Sequence, residues 1–420
     1  MKNIYFFPIF LIILFPIFSN ILGGAGNSQF VINILFFAAI FIFLSLRKIN
    51  FFDKFHILFF VYLFAALSIA VLSYFYDTPL SRTFSDTGRL FLFAGFFHMG
   101  FNYVKVKDFD IENLSDVIIN LGLISVIFSS LVFIEYLHPF IDLFKGRQST
   151  EEFTFHFYRF SGFHGYPTDF AVFINFCILL VFFKLEKNLY SFSRSLAYIS
   201  IFSLGILFSF ARGGMLQFAG LILVLFYISP ILNFLKSEPI YMKQRQRFSL
   251  ISFIAIIFFF FVIFLIQDFL RLEVQYVSYL VGLFDNNIDS SVQHRFNEII
   301  LVQDVLNFRS EVPFGDDRIE PFGMDTIESM FSHYTLRFGW FGFCLIVFIY
   351  AIKLILLSKY KRNNSLNFAL FYWFLTFFIF VAFFSDVTVR LKGLSFYSLF
   401  LGVGFGYQYF KSYNQEQVRL

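Results

Sequence analysis

The chain has 420 residues, 58% hydrophobic and 14% charged, with a formal net charge of +4 and a mean hydropathy of +0.74. Soluble domains carry about 25% charged residues, so the composition excludes an ordinary water-soluble globular protein. At about 20 residues per membrane-spanning helix, the apolar content allows about a dozen spans. The 75 phenylalanines read as general lipid-facing filler. Cys177 and Cys344 lie within apolar runs and read as small buried hydrophobes, not as a disulfide framework. The apolar stretch after Met1 has no convincing small-residue cleavage site and reads as a retained helix.

In chain order, apolar runs place spans at 4–22, 30–46, 55–73, 88–104, 114–137 and 167–183, then at 196–210, 213–235, 249–267, 335–357, 366–384 and 393–410. The expectation is an all-α polytopic membrane protein, one integral domain over 1–420 with about 12 transmembrane helices. Two longer segments, 138–166 and 268–334, interrupt the pattern as outer-face loops. With both termini cytoplasmic, 19 of the 32 basic residues fall in short inside loops, the regime in which positive charge sets orientation. Lys184 and Lys353 belong to that inside set, and 13 of the 19 are lysine. Outside, 11 of 13 are arginine. Arginine binds carboxylate or phosphate bidentately and stays charged when partly desolvated, which points to the outer face as the side that handles an anionic ligand. Pairing of these arginines with outside acids is the other reading.

The 268–334 loop holds 12 of the 28 acidic residues, and a loop of that length is usually functional. Within it Val292, Phe296, Ile299, Ile300 and Leu306 recur at helical spacing opposite His294, Arg295, Glu298 and Gln303. The pattern predicts an amphipathic helix over 292–308, lying at the membrane boundary or packed on neighbouring spans.

The sequence contains no phosphate-binding Gly-Lys-Ser/Thr loop, no Gly-x-Ser-x-Gly elbow and no His-Glu-x-x-His helix, so a reaction here would draw its energy from an activated substrate. No Cys/His cluster has metal-ligand spacing, and no metal or other cofactor is expected. Asp316 and Asp317 read as solvated loop charges.

Four constellations fall at expected outer ends. Arg159 to Asp169, with Gly162, His164, Gly165 and Pro167, shapes a turn before an apolar helix, presenting backbone N–H groups and a helix N-terminus to an anion. Ser209 to Gly214 is a tight turn carrying Arg212, which reads as a functional intramembrane arginine or as one snorkelling to headgroups. Arg295 leads the amphipathic helix toward Pro313 and Gly315. Glu328 and Ser329 precede Gly339 and Gly342, with His333 and Arg337 between them, and place a carboxylate at the mouth of a span where a general base is needed.

Across 155–350 these motifs resemble the O-antigen polymerase and O-antigen ligase superfamily, membrane glycosyltransferases acting on lipid-diphosphate-linked sugars. Arg159, Gly162 and Pro167 match one family pattern, with Thr168 where Asn is usual; Ser209 to Gly213 match the turn carrying the family's essential arginine; Arg295, Pro313 and Gly315 match a third, with Asp316 and Asp317 in place of the usual Gly-x-Gly. The ligase motif is matched by Glu328, Ser329, Gly339 and Gly342, with Glu in place of His, which is more similar to the polymerases.

The resemblance implies a GT-C-like architecture in a bacterial inner membrane, with the site on the periplasmic face. It implies Glu328 as base, Arg159, Arg212 and Arg295 on the diphosphate, and Arg318, His333, Ser329 and His164 as acceptor contacts. The implied partners are an undecaprenyl-diphosphate-linked oligosaccharide, membrane lipids, a chain-length regulator and a flippase, with no nucleic acid. The alternatives are a ligase that transfers glycan to lipid A-core and, in another class, a lipid-linked oligosaccharide flippase. A flippase should carry charge near the bilayer midplane, whereas the mid-span segments here are nearly bare of it.

Overall fold

The computed structural model describes residues 57–75, 80–104, 109–131, 134–137, 160, 164, 167–209, 211–225, 290–307, 330–382 and 391–419. These residues form helices α1 (Ile57–Phe75), α2 (Leu80–Tyr103), α3 (Ile111–Ser130), α4 (Pro167–Glu186), α5 (Phe192–Phe208), α6 (Arg212–Leu223), α7 (Ser290–Leu306), α8 (Met330–Tyr360), α9 (Ser365–Phe380) and α10 (Leu391–Arg419), with a 3-10 turn at Glu135–Leu137 and no strand among the described residues. Among the described residues four stretches are long and apolar enough to cross a membrane: Ile57–Tyr74, Ile111–Ser130, Pro167–Glu186 and Phe338–Tyr360. The expected spans 4–22, 30–46 and 249–267 lie outside the described residues.

Local chemistry sets several boundaries. Asp110 caps α3 by accepting from the Glu112 N–H at 2.9 Å, and Asn364 caps α9 by accepting from the Asn367 N–H at 2.8 Å. The span expected over 114–137 ends as a helix at Ser130. Ser129 and Ser130 donate to the carbonyls of Ser125 and Ile127 there, a local bonding pattern that competes with helix continuation. The loop helix expected over 292–308 is α7, two residues earlier.

Helix α4 is the central strut, buried from Asp169 to Lys184, and it packs on α3, α5, α6 and α9. Helices α2 and α10 run in close backbone contact. A Cβ on Gly100 would lie 2.0 Å from the Leu399 carbonyl oxygen, one on Gly402 2.0 Å from that of Phe97, and one on Gly406 2.4 Å from that of Phe101. Small residues four apart allow this approach in a membrane, where helix association depends on packing and not on expulsion of water.

The phenylalanines are not mere lipid-facing filler. Phe93, Phe97, Phe170, Phe173, Phe176, Phe202, Phe374 and Phe377 are fully buried, and Phe176 stacks on Phe400 with centroids 5.9 Å apart. Trp373 stacks on Tyr397 at 3.7 Å and on Phe377 at 5.0 Å. Aromatic pairs add specific geometry to the area they bury, so in this core phenylalanine selects the packing. Cys177 is buried as expected, but Cys344 is exposed on the outer surface of α8.

The basic residues of the inside set also divide. Lys184 is buried and ion-paired with Asp116 at 2.8 Å and Glu112 at 3.4 Å, and it donates to the Glu112 carbonyl at 3.0 Å. Tyr190 donates its hydroxyl to Asp116, and the Ser365 N–H donates to Glu112. This clasp joins the start of α3, the end of α4 and the start of α9 at one end of the bundle. Lys353 is likewise no loop charge, being buried within α8. A topological charge would be hydrated; these two lysines are held by protein.

Candidate functional site

The described parts of the four sequence constellations lie at the opposite end of the bundle. The Phe160 N–H donates to the Phe208 carbonyl at 2.9 Å and the two rings lie 5.3 Å apart, fixing the first constellation to the end of α5. The Ser209 hydroxyl accepts from the Ala211 N–H at 3.2 Å and so shapes the turn into α6. Arg212 is the first residue of α6. Its backbone therefore sits where unpaired helix N–H groups and the positive end of the dipole favour an anion.

Buried amides hold this helix start in place. Asn175 on α4 donates to the Gly214 carbonyl at 2.8 Å and to the Gln217 side-chain oxygen at 3.2 Å, while Gln217 donates to the Trp373 carbonyl at 3.4 Å. A Cβ on Gly214 would lie 2.2 Å from that of Ala171. Where Gly213 sits, a Cβ would meet Thr168 at 3.6 Å and Val381 at 3.5 Å. The first turn of α6 is thus wedged between the start of α4 and the end of α9.

The third and fourth constellations meet through α7 and α8. The Trp340 indole donates to the Leu306 carbonyl at 2.8 Å, tying the end of α7 to α8. Phe331 packs on Phe378 with centroids 5.4 Å apart, joining the start of α8 to the end of α9. Gly339 kinks α8 with φ 56° and ψ −141°, a region open essentially only to glycine. A Cβ on Gly342 would lie 2.0 Å from the Tyr334 carbonyl oxygen. The two motif glycines therefore have distinct physical tasks: Gly339 makes the bend, and Gly342 lets the bent segment close against the helix.

Of the expected site residues, Arg159, Arg318, Glu328 and Ser329 lie outside the described residues. Arg212 opens α6 and Arg295 lies on α7. His164 is buried with its ring 4.8 Å from Phe173 and 6.3 Å from Phe170, at the start of α4. His333 is buried in the first turn of α8, its ring edge-on to Tyr334 at 5.2 Å and its chain neighbours Ser332 and Tyr334 buried as well. Both histidines are buried in the protein.

Helix α7 departs from the expected facing. Glu298, assigned to its polar side, is fully buried, and Val305 two turns on is largely buried, whereas Ile300 is half exposed. The seven-residue spacing of Glu298 and Val305 puts them on one stripe, and that stripe is the buried one. Asp169, buried in the first turn of α4, is a second acid that no role anticipated; its place in a helix first turn, where a carboxylate meets the positive dipole end, was the available signal. Among the described residues no group of three or more His, Cys, Asp or Glu side chains is placed to hold a metal ion. No family model, no curated protein and no solved structure matches the chain.

Proposed function

We propose that the chain is a polymerase of lipid-linked oligosaccharide repeat units, a GT-C-like protein of about twelve spans in a bacterial inner membrane with its site at the periplasmic end. The observation that carries the reading is the meeting, at one end of the bundle, of Phe160 and the start of α4, the turn into α6, the end of helix α7 and the kinked start of α8.

In this reading the acceptor sugar hydroxyl attacks the anomeric carbon of a glycan carried on undecaprenyl diphosphate. The new C–O bond forms as the bond to the diphosphate breaks. The diphosphate leaves with the bonding electrons, neutralised by Arg159, Arg212 and Arg295, an electrostatic contribution that is often the largest in catalysis. Glu328 takes the hydroxyl proton, and single displacement inverts the anomeric centre. Ser329, Arg318, His164 and His333 order the acceptor side, the two histidines from behind the surface. The energy comes from the diphosphate bond, consistent with a sequence lacking a nucleotide signature.

The test is reconstitution of the purified protein with a synthetic lipid-diphosphate repeat unit, with wild type beside Glu328→Gln and Arg212→Ala. A ladder of repeat multiples lost in both variants is the expected result. One-step transfer to lipid A-core would instead mean a ligase. Leaflet exchange without new glycosidic bonds would mean a flippase, a reading favoured by one observation, the lysine buried within α8.

A further inference from the structure

Lys353 lies inside the stretch of α8 apolar enough to span a membrane, and the helix continues seven residues beyond it to Tyr360, about 10 Å of rise. Its side chain is 3% exposed, so it does not reach water as a snorkelling lysine would. Its Nζ stands over four rings: Tyr350 at 4.6 Å, Phe374 at 4.7 Å, Phe93 at 4.8 Å and Tyr62 at 5.2 Å from the centroids. These come from α8 itself, α9, α2 and α1. Among the described residues no carboxylate lies within ion-pair distance of Lys353, in contrast to Lys184 with its two acids.

Ionisable groups within a membrane span are functional sites by default. A site for an anionic ligand would leave the ammonium open on one side. Here the rings close around it, with Tyr62 stacked on Phe93 at 3.3 Å. The remaining exchangeable species is the proton. A protonated Nζ is attracted by the negative face of each ring. A neutral amine loses that attraction and also escapes the cost of burying a charge. The charge state of one atom therefore changes the forces on side chains from four helices.

We propose that Lys353 is a proton-binding site that couples protonation to the seating of α8 against α1, α2 and α9. In the release step an Nζ–H bond breaks, the electron pair stays on nitrogen and the proton passes to water at the near end of the bundle. Because α8 also carries the Gly339 bend, the site bears on the angle at which the helix presents its far end. This inference is independent of the glycan reading.

Among the described residues, the titratable groups at the cage are Tyr62 on α1, Tyr350 and Tyr334 on α8, and Tyr397 behind Phe374 on α10, with His98 of α2 farther along the α1–α2 seam beside Phe59. His98, bonded to Asn102 and beside Phe59, is an imidazole, the side chain that ordinarily changes charge between pH 5 and 8, so it needs its own control.

The experiment is thermal denaturation of the full chain in nanodiscs from pH 5 to pH 10, comparing wild type with Lys353→Met, Lys353→Arg and His98→Gln. A proton bound differently in the folded and unfolded states makes stability depend on pH. The expected result is a Tm difference between wild type and Lys353→Met that changes by several degrees across the range. His98→Gln keeps that dependence, and Lys353→Arg, always charged, parallels Lys353→Met. Wild-type and Lys353→Met curves that run parallel throughout would overturn the proposal. Should Lys353→Met fail to fold, Phe93→Leu and Phe374→Leu, each removing one ring face, must displace the pH dependence; curves parallel to wild type in both would overturn it equally.

Discussion

The two buried lysines show what different surroundings make of one side chain. Lys184 is compensated by Glu112 and Asp116, and both acids keep partial access to water. Removing one partner of a fully buried pair costs about 3–5 kcal/mol. Because water screens the acids left behind, Lys184→Met is expected to cost less, about 1–3 kcal/mol, read as a lowered thermal midpoint.

Tyr190 belongs to the same clasp. Burial, and then the hydrogen bond to Asp116, push its hydroxyl above the ordinary tyrosine range. A raised folded-state value means that the contribution is complete below about pH 10, the unperturbed tyrosine value, and is lost as pH rises beyond it. Tyr190→Phe should therefore lower stability by about 1 kcal/mol, by an amount constant from pH 6 to pH 9. A difference that varies with pH inside that window would show that another group carries the effect.

At the scale of the element, the glycines decide where helices touch. Gly339 takes a backbone conformation that costs other residues about 1–3 kcal/mol, so Gly339→Ala should straighten α8 or destabilise it. If the bend aims the motif, activity in the ladder assay falls more than the thermal midpoint does. A leucine at Gly402 would drive its side chain into the Phe97 carbonyl. Overpacking costs about 1–3 kcal/mol and occasionally more, and here the obstacle is backbone that cannot rotate aside. Gly402→Leu should separate α2 from α10, seen as loss of crosslinking between cysteines introduced along the two helices.

These devices were only partly legible in the sequence. Hydropathy located α4 to within three residues of its end and α7 to within two, because apolar runs and helical spacing are local properties. The burial of Glu298 was not legible, since which stripe of an amphipathic helix is covered depends on its neighbour, here α8. Lys184 and Lys353 were misread for the same reason: a basic residue near a span end looks like a topological charge until the acids or rings from other helices are seen. The motif glycines were found by pattern, but their separate tasks at the kink needed coordinates.

On the scale of the whole molecule, the two ends of the bundle differ in chemistry. One carries the Lys184 clasp and the exposed Lys187, Arg194, Lys359, Arg362 and Lys411. The other carries the starts of α4, α6 and α8 with His164, His333 and the backbone of Arg212. In the proposed reading the lysine-rich short loops mark the cytoplasmic side, so that the second end faces outward, toward a lipid-diphosphate glycan. This assignment is testable without substrate. With Cys177 and Cys344 replaced by alanine, Leu189→Cys and Asn363→Cys at the first end, and Tyr136→Cys and Asn307→Cys at the second, are probed with a membrane-impermeant thiol reagent on sealed inside-out and right-side-out vesicles. The first pair should react only in inside-out vesicles and the second only in right-side-out ones. The reverse pattern would move the four constellations to the cytoplasm, away from a periplasmic glycan, and the polymerase reading would fail with the fold intact. Labelling of both pairs from one side would break the alternation of the helices themselves, because Glu112 and Ser209 would then have to share a face although α3, α4 and α5 carry the chain between opposite ends.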